Sequence, residues 1–264
     1  MIDGRLEKES KYLNGESVWG DDLSEEEIAL WYQDEEKGYY NLFVNYKKEV
    51  TGSDINEVHS HYGFSKIANQ SIDVVLGLGS ADGKEFLPII DKVRELNIVE
   101  ISEDFYKTSI GETSVKYIKP NIMGTLPFDD MKFDLIMASN VLHHIPNITY
   151  VCQELVRCLK PGGILLLTEP IVYMGGFEGA RTGLTLRERG IPIVFFDNLI
   201  RENDMKIISR NYYNHILLQK LLTHIGENRM LNSKRVIKID EFLCRHAITS
   251  SKIYHTTNKF RRAF

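Results

Sequence analysis

The sequence contains no long hydrophobic run, and its first residues lack the pattern of a secretory signal. No stretch of its 264 residues approaches the roughly 20 consecutive apolar residues that a membrane-spanning helix requires. The opening MIDGRLEKES has no apolar segment after a basic start, which a secretory signal would show. We therefore expect a cytoplasmic protein with neither a membrane span nor a signal peptide.

Cysteine is scarce and unpatterned. The three cysteines, Cys152, Cys158 and Cys244, are an odd number and include no Cys-x-x-Cys spacing. This argues against a disulfide framework and against a cysteine-based zinc site. We expect reduced, mostly buried thiols.

The net charge of −5 is distributed unevenly along the chain. Residues 1–60 hold 6 Lys or Arg against 15 Asp or Glu, whereas residues 229–264 hold 9 Lys or Arg against 2 acids. Solvated surfaces are the simpler interpretation of both ends, and contact of the basic end with anionic lipid or a polyanionic substrate is the alternative. No nucleic-acid-binding motif accompanies the basic end, so we predict no nucleic-acid partner.

From about residue 72, short β-branched runs alternate with amphipathic stretches, as in a parallel sheet covered by helices. We predict a three-layer α/β fold with a mainly parallel seven-stranded sheet and helical extensions at both ends. The predicted strands are 71–78, 97–102, 114–118, 132–139, 164–170, 205–213 and 252–260. The predicted helices are 84–96, 103–109, 150–159 and 193–203, with helical additions within 214–250.

The same pattern divides the chain into three segments. We predict an amino-terminal helical segment or lid at 1–65, a core at 66–212, and a carboxyl-terminal extension at 213–264 that completes the core. Within the core, the glycine-rich connection 171–192 is too long for a plain loop and is predicted to be a lid. Its TLRE sequence has capping-box spacing from Thr185 to Glu188, which predicts one or two helical turns.

The segment VVLGLGSADGKEF, residues 74–86, runs from a predicted strand through a glycine loop into a predicted helix. Such a loop allows a nucleotide cofactor to approach the backbone closely, although a plain structural turn is the alternative. A dinucleotide fingerprint counted from Gly77 would place Asp82 where its third glycine belongs. The pyrophosphate of NAD would meet a carboxylate there.

Glu100 lies 21 residues after Gly79, at the carboxyl end of the second predicted strand. An acid at this place in the topology accepts hydrogen bonds from both hydroxyls of a ribose. A surface acid at a strand end is the alternative. Beside the glycine loop, we favour the ribose interpretation.

The segments LPFDDMKFDLIMASNVLHHIPN and ELVRCLKPGGILLLTEP, within 124–170, carry L-P-F, F-D, V-L-H-H and L-K-P-G-G in that order. Here the chain resembles class I S-adenosylmethionine-dependent methyltransferases, over about residues 72–210. The resemblance implies a Rossmann-like fold and S-adenosylmethionine as cofactor. It implies these cofactor-binding residues: Gly77, Gly79, Ser80, Gly83, Glu100, Ile101, Ile122, Met123, Ser139 and Asn140.

Two positions depart from that family. Gly77 stands where the family usually has an acid, and Ala81 stands where it has a glycine. Loss of the acid loosens the hydrogen bonding expected at the methionine end of the cofactor. Asp82 and Asn140 are candidate substitutes, and a non-catalytic scaffold stays open.

Three residues are candidates for catalysis. His143 and His144 follow the fourth predicted strand at the edge where ligands bind, and either is a candidate base; a shared helix start is the simpler interpretation. We predict no metal site, because adjacent side chains diverge. Glu169 ends the fifth strand as a candidate base or acceptor ligand, or else as a cap or a partner of Arg181.

Other charged and aromatic residues are candidates for enclosing a substrate. Arg181, Arg187 and Arg189 either clamp an anion or are solvated lid charges. Trp31, Tyr32, Tyr39 and Tyr40 either close over the site or belong to the core.

The stretch EPIVYMGGFEGARTGLTLRERGIP, residues 169–192, is similar to methyltransferases found with bacterial surface-glycan biosynthesis. That resemblance implies O-methylation of a sugar or related small molecule. An NAD-type oxidoreductase is the alternative from another enzyme class.

Overall fold

The computed structural model describes residues 7, 10–12, 14, 16–49, 55–171, 185–213, 218, 221–222 and 233–249. The chain forms two compact units. The first comprises Met1–Lys47 and Ser71–Lys206, and the second comprises Lys48–Gln70 and Ile207–Phe264. The predicted segment boundaries at 65 and 212 stay a prediction.

The first unit contains a six-stranded sheet among its described residues, in the order β3-β4-β2-β1-β5-β6. Its strands are β1 Val74–Leu78, β2 Glu95–Val99, β3 Ser109–Ile110, β4 Thr113–Ile118, β5 Phe133–Ser139 and β6 Leu159–Thr168. All neighbouring pairs are parallel except β3 with β4. In register, Leu76 of β1 lies opposite Asn97 of β2 and Ile136 of β5.

The central strands are apolar because they are covered on both faces. Every residue of β1 is buried, and so are five of the seven residues of β5. Parallel strands in such a position read as continuous hydrophobic runs instead of alternating patterns. This unit is therefore a Rossmann-like α/β fold whose central strands are fully enclosed.

The helices of the first unit are α1 Glu25–Glu49, α3 Ile148–Cys158 and α4 Ile193–Glu202, while α2 belongs to the second unit. Helix α1 begins at a capping box, in which the Ser24 N–H donates to the Glu27 carboxylate and the Glu27 N–H donates to Ser24 Oγ. Helix α3 buries Val151, Leu155 and Cys158 in the main hydrophobic cluster. That face holds α3 against the sheet.

Short 3₁₀ segments occupy three of the sheet connections, at Lys84–Lys92, Glu103–Phe105 and Leu142–His144. A helix was predicted over 84–96, but the structure ends it at Lys92 and starts β2 at Glu95. Pro88 lies inside this segment, and its missing N–H weakens a regular α-helix.

The predicted strands at 71–78, 97–102, 114–118, 132–139 and 164–170 overlap β1, β2, β4, β5 and β6. The strand predicted at 205–213 is wrong, because these residues form neither strand nor helix. Ile207 and Ile208 are exposed, and the chain passes from one unit to the other at this point. The strand predicted at 252–260 lies outside the described residues, and the six described strands do not reach the predicted seven.

The second unit includes α2 Ile55–Tyr62 and α5 Lys234–Thr249. Tyr62 joins them by donating its hydroxyl to the carbonyl of Ile237 over 3.3 Å, and its ring stacks on Tyr213. His61 Nε2 lies 3.7 Å from a carboxylate oxygen of Glu241. None of the helices in the described part of either unit combines the length and hydrophobicity needed to cross a bilayer.

Candidate functional site

The candidate site lies at the carboxyl ends of β1, β2 and β5. These strands are adjacent and parallel, so the loops that follow them meet at one edge of the sheet. The Gly79 N–H donates to the carbonyl of Val99 over 2.8 Å and ties the first loop to the end of β2.

The loop Gly79–Gly83 requires glycine at two positions. Gly79 has φ +60° and Gly83 has φ +69°, both in the left-handed region. A Cβ on Gly79 would come within 3.0 Å of Val141, and one on Gly83 within 3.0 Å of Ile110 and Ile98. The loop therefore packs directly on the turn that follows β5, beside Asn140.

Gly77, where the family usually has an acid, is closed to any side chain. A Cβ there would lie within 3.0 Å of Ser80 Oγ and of the Phe86 ring. Asp82, a candidate substitute, pairs with Lys84 and Lys107 over 2.7 and 3.1 Å. This close packing explains why residue 77 is a glycine. The Asp82 carboxylate pairs with two lysines.

Glu100 is 2% exposed and holds the glycine loop. Its Oε2 accepts the Ala81 N–H over 2.9 Å, and its Oε1 accepts the Ser102 N–H over 3.1 Å. Burial raises the pKa of Glu100, and the backbone donors oppose that rise. When a ribose binds, a carboxylate in this place can accept hydrogen bonds from its hydroxyls instead of from the loop N–H.

Two tyrosines that the sequence analysis did not single out lie beside this loop. The Tyr117 hydroxyl donates to the carbonyl of Ala81 over 2.9 Å. The Tyr106 hydroxyl donates to the carbonyl of Glu100, and the two rings stack with centroids 4.6 Å apart. Tyr117 near the end of β4 was the available signal, whereas nothing in the sequence pairs it with Tyr106.

The remaining predicted cofactor residues lie in loops of the same sheet. Ile101 follows β2 and is half-buried, whereas Ile122 in the loop after β4 is 45% exposed. Met123 accepts a hydrogen bond from Asn147 at its carbonyl. Asn140, with φ +52°, donates its side-chain amide to Ser139 Oγ. Their contact with a cofactor stays a prediction.

Glu169 caps the turn Leu142–His144. Its Oε1 accepts the N–H groups of Val141 and Leu142, and its Oε2 accepts the N–H of His143 and lies 2.7 Å from His143 Nδ1. These four interactions occupy the lone-pair sites of a carboxylate. The geometry therefore matches the capping interpretation, and a catalytic role for Glu169 stays a prediction.

His143 lies between two carboxylates. Its Nδ1 faces Glu169, and its Nε2 lies 3.4 Å from Glu188 Oε1. Burial opposes protonation of this imidazole, yet the two carboxylates outweigh burial and raise its pKa to about 9. A raised pKa makes an imidazole a weaker candidate for a general base at neutral pH, and a catalytic role for His143 stays a prediction.

His144 is held by elements distant in sequence. Its Nδ1 lies 2.6 Å from Glu35 Oε2 of α1 and 3.3 Å from Thr185 Oγ1 of the lid. The indole of Trp31, one turn before Glu35, donates to the carbonyl of His144 over 2.7 Å. Glu35 was missed because nothing in the sequence links α1 to this turn.

The expectation that the two histidines diverge is wrong. Their ring centroids are 4.0 Å apart in the tight turn. One ring nitrogen of each histidine and one carboxylate oxygen of Glu188 all lie within 4.8 Å of one another. The argument against a metal pair therefore fails.

The lid arginines are not free in solvent. Arg187 pairs with Asp34 over 3.2 Å, and Arg189 is completely buried with its Nη2 donating to the carbonyls of Ile145 and Pro146. Solvated lid charges are therefore the wrong interpretation for Arg189. Arg181 lies outside the described residues.

The predicted capping box of the lid forms without its helix. The Thr185 N–H donates to Glu188 Oε2 over 3.1 Å, but the described residues from 185 to 192 contain no helical turn.

Trp31, one of the aromatic residues predicted either to close over the site or to belong to the core, is buried like a core residue. The side chains of Tyr39 and Tyr40 lie outside the described part.

Alanine at Gly79 is expected to damage the loop more than alanine at Gly162. Both glycines have positive φ, but nothing lies within 4 Å of a Cβ at Gly162. Gly162→Ala therefore costs only backbone strain, about 1 kcal/mol, and leaves ligand affinity unchanged. Gly79→Ala adds the clash with Val141 and should lower S-adenosylhomocysteine affinity. Calorimetry and thermal melts of both variants measure this, and equal affinities would contradict the role of Gly79.

Replacing Glu85 with glutamine is expected to stabilise the protein at pH 8. Burial, with the neighbouring charges of Glu100 and Asp82, raises the pKa of Glu85 to about 7. The folded state therefore holds this proton more tightly than the unfolded state, and stability is lost as pH rises from about 4.5 to 7. We expect a gain of roughly 1–2 kcal/mol at pH 8 that vanishes near pH 4. Urea unfolding at both pH values tests this, and an equal effect at both would contradict it.

Comparison with known proteins finds similarity at the centre of the chain. One family model, described as a methyltransferase domain, matches residues 76–167. An uncharacterized methyltransferase of Mycobacterium sp. strain KMS is 39% identical over 61 residues, which is 23% of this chain and 24% of that protein. One from Mycobacterium tuberculosis strain H37Rv is 38% identical over 60 residues, 23% of each chain. The match thus spans about a quarter of the length of these curated relatives.

Solved structures with a similar backbone include two S-adenosylmethionine-dependent methyltransferases. The protein from Mesorhizobium loti is 15% identical, covers 62% of this chain and 90% of its own, and has a TM-score of 0.47. The protein from Aquifex aeolicus is 15% identical, covers 64% and 91%, and has a TM-score of 0.45.

Proposed function

We propose that this chain, through the methyltransferase domain at 76–167, transfers the methyl group of S-adenosylmethionine to an oxygen of a sugar or related small molecule. The observation that supports the cofactor is the junction of Ala81 with Glu100, where a glycine loop and a buried acid meet at the carboxyl edge. S-adenosylmethionine carries a sulfonium amino acid and a ribose in one molecule. Its site therefore needs the glycine loop and the buried acid close together. The acceptor rests on the likeness of the lid to surface-glycan methyltransferases.

Methyl transfer from a sulfonium is an in-line displacement with a neutral thioether as leaving group. The protein therefore contributes alignment and exclusion of water more than acid–base chemistry. In this proposal, Gly79 and Gly83 let the backbone lie against the methionine part of the cofactor, and Glu100 binds the ribose. Gly77 itself supplies no carboxylate, so in this proposal backbone groups and Ser80 serve the methionine end of the cofactor.

A sugar hydroxyl is a weak nucleophile and must lose its proton during transfer. Of the predicted bases, His144 has the surroundings that suit the task best, because Glu35 orients its ring as a carboxylate orients the histidine of a catalytic triad. The proposal needs a small-molecule or glycan acceptor and no nucleic acid, and it places the protein in the cytoplasm.

The experiment is transfer of a ¹³C-methyl group from labelled cofactor to a panel of acceptors. The panel contains monosaccharides, lipid-linked sugars, catechols, amines and thiols, and the products are identified by NMR. We expect a methyl ether on a carbohydrate. A methyl group on nitrogen, sulfur or a ring carbon would overturn the acceptor, and binding of cofactor without transfer to any acceptor would favour the non-catalytic scaffold.

A further inference from the structure

The turn Leu142–His144 and the lid bring together two imidazoles and a carboxylate that the methyl-transfer proposal does not require as a set. His143, His144 and Glu188 each offer one ligand atom, and these atoms lie within 4.8 Å of one another. His143 Nε2 and Glu188 Oε1 are 3.4 Å apart. Two ligands of one tetrahedral ion, each about 2.0–2.2 Å from it, are separated by a distance of this order.

The outer partners of the two histidines have the arrangement found around bound metals. His143 Nδ1 faces Glu169 over 2.7 Å, and His144 Nδ1 faces Glu35 over 2.6 Å. A metal-ligating histidine usually donates its other ring N–H to a carboxylate, which fixes the tautomer and directs the remaining nitrogen to the ion. Both histidines have such a carboxylate, and each comes from a different element.

These outer carboxylates are themselves held in place. Glu169 receives the backbone donors of the turn, as described above, and Glu35 Oε1 accepts the N–H of Arg187 over 3.0 Å. The side chain of Glu169 is 1% exposed and that of Glu35 is 6% exposed. The site is thus built from packed side chains, unlike a cluster of solvated acids.

The charge of the cluster also suits a divalent ion. Glu35 and Glu188 are buried, the side chain of Glu169 is 1% exposed, and the buried Arg189 has Glu35 and Glu169 among its charged neighbours. With Asp21, which is also a charged neighbour of Arg189, the carboxylates outnumber the guanidinium and leave negative charges unbalanced. A divalent cation would offset this negative charge, and so would protons on the two imidazoles. The ion and the protons therefore compete for the same site.

We propose that His143, His144 and Glu188 bind one divalent transition-metal ion of the zinc class, with Glu169 and Glu35 as their outer partners. Two nitrogen donors and one oxygen donor suit Zn²⁺ or Co²⁺ better than Mg²⁺ or Ca²⁺, which prefer oxygen alone. Three protein ligands leave a coordination position open. Binding of the ion can be measured without the proposed function, but its role rests on it. An ion held by His144 would replace that imidazole as the proposed base and, as a Lewis acid, would favour loss of the acceptor's hydroxyl proton.

The test is titration of the metal-free full-length protein with zinc chloride alone, by calorimetry, and with cobalt(II) chloride, by visible absorption. We expect one ion per chain and a cobalt spectrum of a low-coordinate site with nitrogen ligands. Glu188→Gln should weaken binding by about 10-fold or more, and Glu35→Gln should weaken it by about 10-fold through the outer shell. His246→Asn, at an exposed histidine of α5, is the control and should bind as the parent does.

Several results would overturn the site. Absence of one-to-one binding to the parent would do so whatever the variants show, and it would leave His144 as the candidate base. Equal binding by the parent and a folded Glu188→Gln protein would place the ion elsewhere. S-adenosylhomocysteine titrated into the same metal-free samples separates the proposals, because cofactor binding without zinc binding removes the ion and retains the methyltransferase.

Discussion

Glu100→Gln is expected to weaken binding of S-adenosylhomocysteine by about 10- to 100-fold, equivalent to roughly 1–3 kcal/mol. The substitution removes the charge and one acceptor while keeping the shape of the side chain. The Glu100 carboxylate accepts the Ala81 N–H. The substitution therefore affects both the proposed ribose contact and the glycine loop. Calorimetry of parent and variant measures the affinity.

The matched control is Glu103→Gln, three residues along the same loop. The side chain of Glu103 is 69% exposed and lies 3.5 Å from Lys119. This variant should bind the thioether as tightly as the parent. Unchanged affinity in Glu100→Gln, with a parent-like melting curve, would remove Glu100 from the cofactor site.

Arg189→Met is expected to lower the unfolding free energy of the first unit by about 3–5 kcal/mol. The guanidinium is fully buried, donates to the carbonyls of Ile145 and Pro146, and lies 5.1 Å from the ring of Trp31. Methionine fills a similar volume but leaves both carbonyls without their donor and the nearby carboxylates without their cation. Both tryptophans of the chain lie in this unit. Their fluorescence during urea unfolding therefore measures the loss of unfolding free energy.

Arg201→Met provides the comparison on the surface. The Arg201 side chain is 70% exposed, and its pairing with Glu202 at 3.8 Å is a solvated one. We expect its effect to stay within about 0.5 kcal/mol. A loss below about 1 kcal/mol in Arg189→Met would show that water or a rearranged lid replaces the guanidinium easily, against the burial argued above.

The strands of the sheet were predictable where burial dictated the residues. The segment over β5 reads FDLIMAS and is apolar because both faces of that strand are covered. Residues 205–213 show a comparable β-branched pattern, yet a strand forms only where a neighbouring strand offers hydrogen bonds. At this point the chain leaves the first unit, which local sequence does not reveal.

The site was predictable in its motifs and not in its contacts. The glycine loop and Glu100 were predicted from strand–loop–helix spacing, and the structure places the Ala81 N–H against the Glu100 carboxylate. Glu35 lies 109 residues from His144, and no periodicity links the two. The two histidines were expected to diverge, as neighbours on a regular helix or strand do, but the 3₁₀ turn Leu142–His144 brings their rings together.

The most direct test of the cofactor assignment is calorimetry of the full-length protein with S-adenosylhomocysteine and, separately, with NAD. We predict that one molecule of the thioether binds per chain and that NAD does not, since Asp82 stands where the pyrophosphate loop needs its third glycine. Binding of NAD without the thioether would contradict the assignment and favour an oxidoreductase, and binding of neither would leave a fold that has lost its cofactor.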